Sequence, residues 1–210
     1  MGFKELYEAK QVGTLYHNTS LQNLMSILKD NVIKSHIYSD YTKVSGRTLT
    51  RTLKGTSFTR DKNAELTDIA LVNLQTKIVV DGDSLSNTYK IRPRDEFYDT
   101  TIAMGKRSES EEFVKGDIIN AIKYIKQIYL REDEIADAML EKNPITYIST
   151  YLAFELSKLD KDFYENPLYK ESIQKMKDTN KAIQKDGISM FLNILAKAIT
   201  KKYNIKVSLK

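Results

Sequence analysis

The chain has 210 residues, enough for one well-buried domain, with 41% hydrophobic and 29% charged residues and a formal net charge of +5. It has no cysteine and only two histidines, His17 and His36. That excludes disulfides, thiol nucleophiles and zinc–thiolate sites and argues against a histidine-rich metal centre, although composition leaves a carboxylate site for magnesium open. No apolar run approaches the roughly 20 residues that cross a bilayer. Met1–Leu6 carries charge where a signal peptide needs an apolar core, so the expectation is a cytoplasmic protein with no membrane partner. The basic balance mildly favours an anionic partner such as a nucleic acid or a dinucleotide.

In chain order, Thr14–His17 reads as a short strand. Thr19 or Ser20 then caps a helix through Leu28, because Leu21, Leu24, Met25, Ile27 and Leu28 form an apolar stripe, and Asn31 stands where a left-handed stop belongs. From His36 to Gly55 the chain is polar with few large aliphatics, the pattern of a long loop, and long loops in compact domains are often functional. Strand character returns over Gly55–Thr59. Thr76–Val80 is a buried strand ended by Asp81-Gly82-Asp83; Leu85–Ile91 alternates less cleanly and Pro93 ends it. Phe97–Ser110 is irregular, and Phe113-Val114 begins a short strand that Gly116 closes.

Beyond that point Ile118, Ile119, Ile122, Ile125, Ile128 and Tyr129 follow a helical period, and Leu130–Leu140 continues that helix or starts another. Pro144 opens a second helix covering Tyr147–Leu159, and Pro167 a third from Leu168 to Lys185. Gly187 breaks it, and Ile188–Ile199 forms a fourth. Ile205–Leu209 is a terminal strand candidate. Strands first and helices later predict an α+β fold, a single domain over 1–210 with residues 118–200 mostly helical.

Three segments carry residues suited to chemistry. In Leu15-Tyr16-His17-Asn18-Thr19-Ser20 a strand runs straight into a helix, so His17 projects from a strand end beside helix N-terminal amides that can serve an anion; equally, His17 can simply fix the turn. In Gly55-Thr56-Ser57-Phe58-Thr59-Arg60-Asp61 the hydroxyls of Ser57 and Thr59 share one strand face. The forked donors of Arg60 suit a pyrophosphate, or a surface pair with Asp61. In Arg107-Ser108-Glu109-Ser110-Glu111-Glu112-Phe113-Val114 the acids form either a solvated loop or a catalytic carboxylate. Glu112, abutting the apolar pair, is the one held most rigidly.

A strand with Tyr-His-x-Thr leading into a helix, then Phe-x-Arg at a strand end, then Glu before a short apolar strand, resembles the ADP-ribosyltransferase family, and within it the DarT-type toxins that modify DNA. The matching residues are Tyr16, His17, Thr19, Asn23, Leu24, Ser26, Ile27 and Leu28, then Phe58 and Arg60, then Glu112, Phe113 and Val114. They fall in roughly the first half of the chain. The resemblance implies a split β-sheet around an NAD cleft, with NAD as ADP-ribose donor and no metal. It places His17 and Asn23 at the nicotinamide–ribose end and Arg60 on the phosphates or the loop. Tyr16, Thr19, Ser57 and Phe58 would complete the cofactor-binding set. Glu112 would engage a ribose hydroxyl and stabilise the positive charge that develops as the bond to nicotinamide breaks, an oxocarbenium-like state as in glycoside hydrolysis.

The chain departs from the family in two places. Arginine-directed members carry an acid, and several others a glutamine, two positions before the catalytic glutamate; here that position is Ser110. Glu109-Ser110-Glu111 is a rival register. The Ser-Thr-Ser motif of the arginine-directed branch is absent, and Thr56-Ser57-Phe58-Thr59 only echoes it, which disfavours an arginine acceptor. A nucleic-acid base is favoured by the resemblance, by the net charge and by Arg47, Arg51 and Lys54, with Tyr38 and Tyr41 available to stack on bases. The alternatives are a protein acceptor, or a catalytically silent binding module in a phage or toxin–antitoxin setting. In the silent case the helical half would be the surface for an antitoxin or other regulatory protein.

Overall fold

The computed structural model describes residues 12–44, 47–60, 62, 75–93, 111–159 and 162–210. β1 (Thr14–Thr19) passes through Ser20 into α1 (Leu21–Asp30). The Ser20 hydroxyl accepts the Asn23 N–H at 3.1 Å, and Asn31 ends the helix with φ 56°, the two caps expected of those residue types. Then come β2 (Val32–Ile33), β3 (His36–Val44), β4 (Arg47–Thr59), β5 (Thr76–Asp81), α2 (Gly82–Ser86), β6 (Ile91–Pro93), β7 (Glu111–Lys115) and β8 (Ile118–Ile119). A 3₁₀ turn (Ala121–Tyr124) leads to β9 (Ile125–Leu130). The rest is helical apart from the last strand: α3 (Glu132–Glu141), α4 (Pro144–Tyr147), a π-helical turn (Ile148–Leu152), α5 (Ala153–Leu159), α6 (Pro167–Met176), α7 (Lys181–Tyr203) and β10 (Lys206–Leu209). The class is α+β, as expected. Among the described residues no helix is long and apolar enough to cross a membrane.

Eight strands form one sheet in the order β10-β9-β5-β1-β4-β7-β6, with β3 added to β4; β2 and β8 make a separate ladder. β10 runs parallel to β9, and the other neighbours are antiparallel. The pairing is uneven. β1 and β5 share a full ladder from Thr14↔Asp81 to Thr19↔Thr76, and β4 and β7 one from Gly55↔Lys115 to Thr59↔Glu111. β1 and β4 are registered at Tyr16↔Thr59 alone, so the sheet narrows to a seam between two better-paired halves. Leu15, Ile78, Val80, Ile128, Phe58 and Val114 from the sheet join Leu24, Met25, Leu28, Leu156, Phe191 and Leu195 from the helices in one buried cluster.

Four expectations need correcting. His36–Gly55 is a β-hairpin, with its strands in register from His36↔Gly55 to Val44↔Arg47. Threonine, tyrosine and valine favour strands, but so polar a stretch shows no apolar alternation to reveal the pairing. Residues 118–130 are two strands around a 3₁₀ turn, not a helix. The cause is a β-bulge: Val79 pairs with Gln127 but Val80 with Ile125, so Lys126 is an extra residue. Ile125 and Ile128 therefore share the inner face at a spacing of three, which mimics a helical repeat. Lys126 uses its displaced position to meet Asp81 at 2.7 Å, and that contact holds the Asp81 carboxyl down at about 2.

Leu85–Ile91 is not a strand: β5 ends at Asp81, as Asp81-Gly82-Asp83 led one to expect, α2 takes Gly82–Ser86, and β6 begins only at Ile91. The Asp81 carboxylate caps α2 through the Ser84 N–H at 3.1 Å. Finally, the third and fourth helices divide at Lys177–Asn180 rather than at Gly187. Asn180 caps α7 through Ala182 N–H, and Gly187 lies inside that helix. A Cβ there would sit 2.8 Å from the Ser172 carbonyl and 2.9 Å from the Met176 nitrogen on α6, so glycine is what lets the two helices approach. In an exposed helix Gly→Ala gains about 1 kcal/mol. Gly187→Ala is expected to reverse that sign, because overpacking costs about 1–3 kcal/mol. A melting temperature above that of the unmodified protein would show that the helix pair is not in contact there.

Candidate functional site

Cross-strand register places four residues from four strands in one row on the inner face of the sheet. His17 is paired with Ile78 and Phe58 with Glu112. Because Tyr16 is registered with Thr59, His17 stands opposite Phe58, and their rings lie 5.6 Å apart. The row therefore reads Ile78, His17, Phe58, Glu112 across β5, β1, β4 and β7, with Pro93 of β6 in register beyond Glu112. Successive residues of a strand alternate faces, so the same side receives Thr19 and Arg60.

The His17 ring bridges the seam. Its Nδ1 lies 3.0 Å from the Ser57 carbonyl. A carbonyl only accepts, so Nδ1 carries the proton and Nε2 is the acceptor when the ring is neutral. Burial pushes the imidazole below its usual range, partly offset by the Ser57 bond, with His36 adding slightly to the depression. The ring is thus held neutral near pH 7.

Glu112 is 4% exposed. Arg60, two residues beyond Phe58 and diagonal to Glu112, places Nη2 at 2.6 Å from its Oε1. A charge-assisted contact of that length offsets the cost of taking a carboxylate out of water. The neighbour expected for Arg60, Asp61, lies outside the described residues, as do Glu109 and Ser110 of the rival register. Thr59↔Glu111 pairing sets Glu111 on the opposite face from Glu112.

The remaining candidates are distributed elsewhere. Thr19 is buried on the same face, where its carbonyl accepts the Thr76 hydroxyl at 2.9 Å. Tyr16 and Ser57 belong to the other face; Tyr16 lies under the Lys77 ammonium, 5.8 Å from the ring centre, while Ser57 serves the row through its carbonyl. Asn23 is exposed on α1. The start of α1 is also less open to an anion than expected. The Leu21 N–H goes to Gln75 Oε1 at 2.9 Å, the Asn23 N–H to Ser20 Oγ and the Leu24 N–H to the Ser20 carbonyl at 2.9 Å.

Gln75 escaped sequence reasoning. It is 2% exposed, and its Oε1 accepts from both Leu21 N–H and the Tyr147 hydroxyl, the latter at 3.2 Å. It thereby ties the start of α1 to β5 and α4. The available signal was weak: a polar residue directly before an apolar strand. A shallow depression of about 480 Å³, lined by Asn193, Lys197, Thr200, Lys201, Val207 and Leu209 among others, shares no residue with the row. Comparison with protein-family models, curated proteins and solved structures gave no match.

The buried imidazole makes stability depend on pH. Above the ordinary value of 6.5 both folded and unfolded chains hold His17 neutral and its contribution is complete. Below it the unfolded chain takes up a proton that the folded chain resists, so stability falls as pH falls toward the depressed folded value. Melting temperatures are expected to drop between about pH 7 and 5.5. His17→Asn, which offers an N–H to Ser57 but does not titrate, is expected to flatten that drop. An unchanged slope in the variant would assign the dependence to other groups.

Proposed function

We propose that this chain is an NAD-dependent mono-ADP-ribosyltransferase with Glu112 as its catalytic carboxylate and a nucleic-acid base as the favoured acceptor. One observation carries the reading. The three segments singled out by resemblance come together with His17, Phe58 and Glu112 in a single row over adjacent strands. The narrow seam beside that row supports a split sheet opening around the donor. The opposite placement of Glu111 supports the Glu112 register.

The chemistry suits a buried carboxylate. When the bond between ribose C1′ and the nicotinamide nitrogen breaks, its electron pair leaves with neutral nicotinamide and positive charge spreads over the ribose. The acceptor atom then bonds to C1′ and releases its proton. A fixed carboxylate stabilises that charge most strongly where water is excluded, and it accepts a hydrogen bond from a ribose hydroxyl. His17, neutral and with Nε2 as acceptor, suits a second sugar hydroxyl. Phe58 separates the two polar groups with an apolar ring face. In this reading Arg60 is a positioning residue: it holds the Glu112 carboxylate in a fixed direction, rather than clamping phosphates.

A second reading rests on the same ion pair. A carboxylate already engaged by a guanidinium at 2.6 Å also suits a catalytically silent module, in which the pair serves the fold.

Labelled NAD incubated with single-stranded DNA, RNA or cell lysate separates these possibilities: label is expected on nucleic acid. Glu112→Gln is expected to cut transfer on the order of a hundredfold or more while NAD affinity changes far less, because the lost interaction belongs to the transition state. It leaves the partly exposed Arg60 without its carboxylate, at a cost of about 1–2 kcal/mol after allowing for solvent screening, so rates must be compared below the variant's melting range. Glu111→Gln is expected to stay near normal. Full transfer by both variants, or no label on any acceptor, would sink the assignment.

A further inference from the structure

The last strand leaves one edge of the sheet open. β10 ends the strand order and pairs with β9, and among the described residues no other strand joins it. The Lys210 N–H donates to the Leu130 carbonyl at 2.9 Å, and the Lys210 carbonyl accepts the Glu132 N–H at 2.8 Å. The backbone groups of Lys210 therefore point toward β9. Along a strand these groups turn to alternate sides, which directs those of Lys206 and Ser208 toward β9 and those of Val207 and Leu209 off the edge. Side chains alternate between faces as well. Val207 and Leu209, half-buried, lie on the inner face, where with Ala196 and Lys197 of α7 they help line the depression of about 480 Å³. Lys206 and Ser208 lie on the outer face, where the Gln127 amide donates to Ser208 Oγ at 3.1 Å. No acid lines the depression, and residues 187–210 include five lysines and no acid.

We propose that the open edge of β10 is a docking surface for an extended acidic segment of a partner protein, which adds to the sheet as a further strand. Two observations choose the occupant. The outward N–H and carbonyl groups of Val207 and Leu209 suit a partner with donors and acceptors at strand spacing, which a polypeptide backbone supplies and a phosphate backbone, only accepting, does not. Charge complementarity calls for acids: Lys197 stands at the depression on the inner side and Lys206 on the outer face, so the added strand meets lysine on both sides. The apolar surface of Ala196, Val207 and Leu209 receives side chains from alternate positions of that strand. The segment that fits alternates apolar residues, facing inward, with aspartate or glutamate, facing Lys206. A second copy of the chain is a poorer occupant, because pairing β10 with itself brings Lys206 and Lys210 of both copies onto one edge, and lysine on an edge strand opposes such pairing. β9 and β5 lie between β10 and β1, so this surface is separate from the row containing Glu112 and independent of the transferase reading.

The test titrates the full chain into a short fluorescein-labelled peptide that alternates glutamate with valine, followed by anisotropy. The unmodified protein is expected to bind it at low salt, to lose affinity as salt rises, and not to bind the same peptide with lysine in place of glutamate. Lys197→Glu with Lys206→Glu is expected to weaken binding about tenfold or more, and Lys197→Gln with Lys206→Gln to weaken it less. Lys197 and Lys206 are exposed, so melting temperatures should hold steady in both. Strand addition has a signature of its own, because only alternate amides of the peptide face β10. Of two peptides methylated on the backbone nitrogens of either the glutamates or the valines, one is expected to lose binding and the other to keep most of it. Equal affinity for the two methylated peptides, equal affinity for the lysine–valine peptide, unchanged affinity in the lysine variants, or no binding at low salt would overturn the proposal. A dimer of the unmodified protein that excludes the peptide would also overturn it and give the edge to a second copy. Tighter binding of a single-stranded oligonucleotide, lost in the same lysine variants, would overturn it in favour of a nucleic acid.

Discussion

The seam between β1 and β4 is the constraint on which the rest of the arrangement depends. A sheet interior gains nothing from a histidine or a glutamate, since both must be desolvated and neither adds apolar area. Here the ladder between the two halves is registered at Tyr16↔Thr59, and the next step along is made by a side chain, with His17 Nδ1–H meeting the Ser57 carbonyl. The imidazole adds a side-chain bond across the narrowing. That contact fixes ring orientation and tautomer, while burial favours the neutral ring.

On the far side of Phe58 the Arg60–Glu112 pair solves the matching problem for a carboxylate. Because Glu112 faces inward on β7 and Arg60 directly follows β4, one diagonal step away, the guanidinium reaches the acid at 2.6 Å. A buried pair of this kind contributes little net stability against an apolar replacement, while breaking it is costly. Its value lies in holding a negative charge in a fixed direction beside an apolar ring. Support for this arrangement comes from outside the sheet as well: Gln75 fastens the first turn of α1 to the helical half through Leu21 and Tyr147, which sets the helix that follows His17.

The elements legible in the sequence were those whose signal is local. Ser20 and Asn31 delimit α1 because capping is decided by the residue and its immediate neighbours, and Pro144 and Pro167 open helices for the same reason. Tyr-His-x-Thr, Phe-x-Arg and Glu-Phe-Val identified the strands that carry His17, Phe58 and Glu112. The misread segments all depended on partners elsewhere in the chain. The isoleucines of β9 imitate a helix only because a bulge opposite Val79 and Val80 shifts their facing. The β3–β4 hairpin hides its pairing because each strand is defined by its partner, from His36↔Gly55 to Val44↔Arg47, and not by an apolar stripe of its own. Gly187 sits inside a helix because α6 needs the space its missing Cβ leaves.

Sequence by itself determined the chemistry available: no thiol, two imidazoles, a strand-borne carboxylate and a basic, hydroxyl-rich stretch, all consequences of composition and short-range pattern. It determined also which residues lie on alternate faces of the strands it revealed, such as Thr14–His17 and Gly55–Thr59. Only the tertiary structure decided which faces look at each other. It set His17, Phe58 and Glu112 in one row, sent Tyr16 and Ser57 to the other side, and gave Arg60 to Glu112. The reason is that register between strands distant in the chain is chosen by the burial of a whole face at once, a sum over residues that no single motif contains.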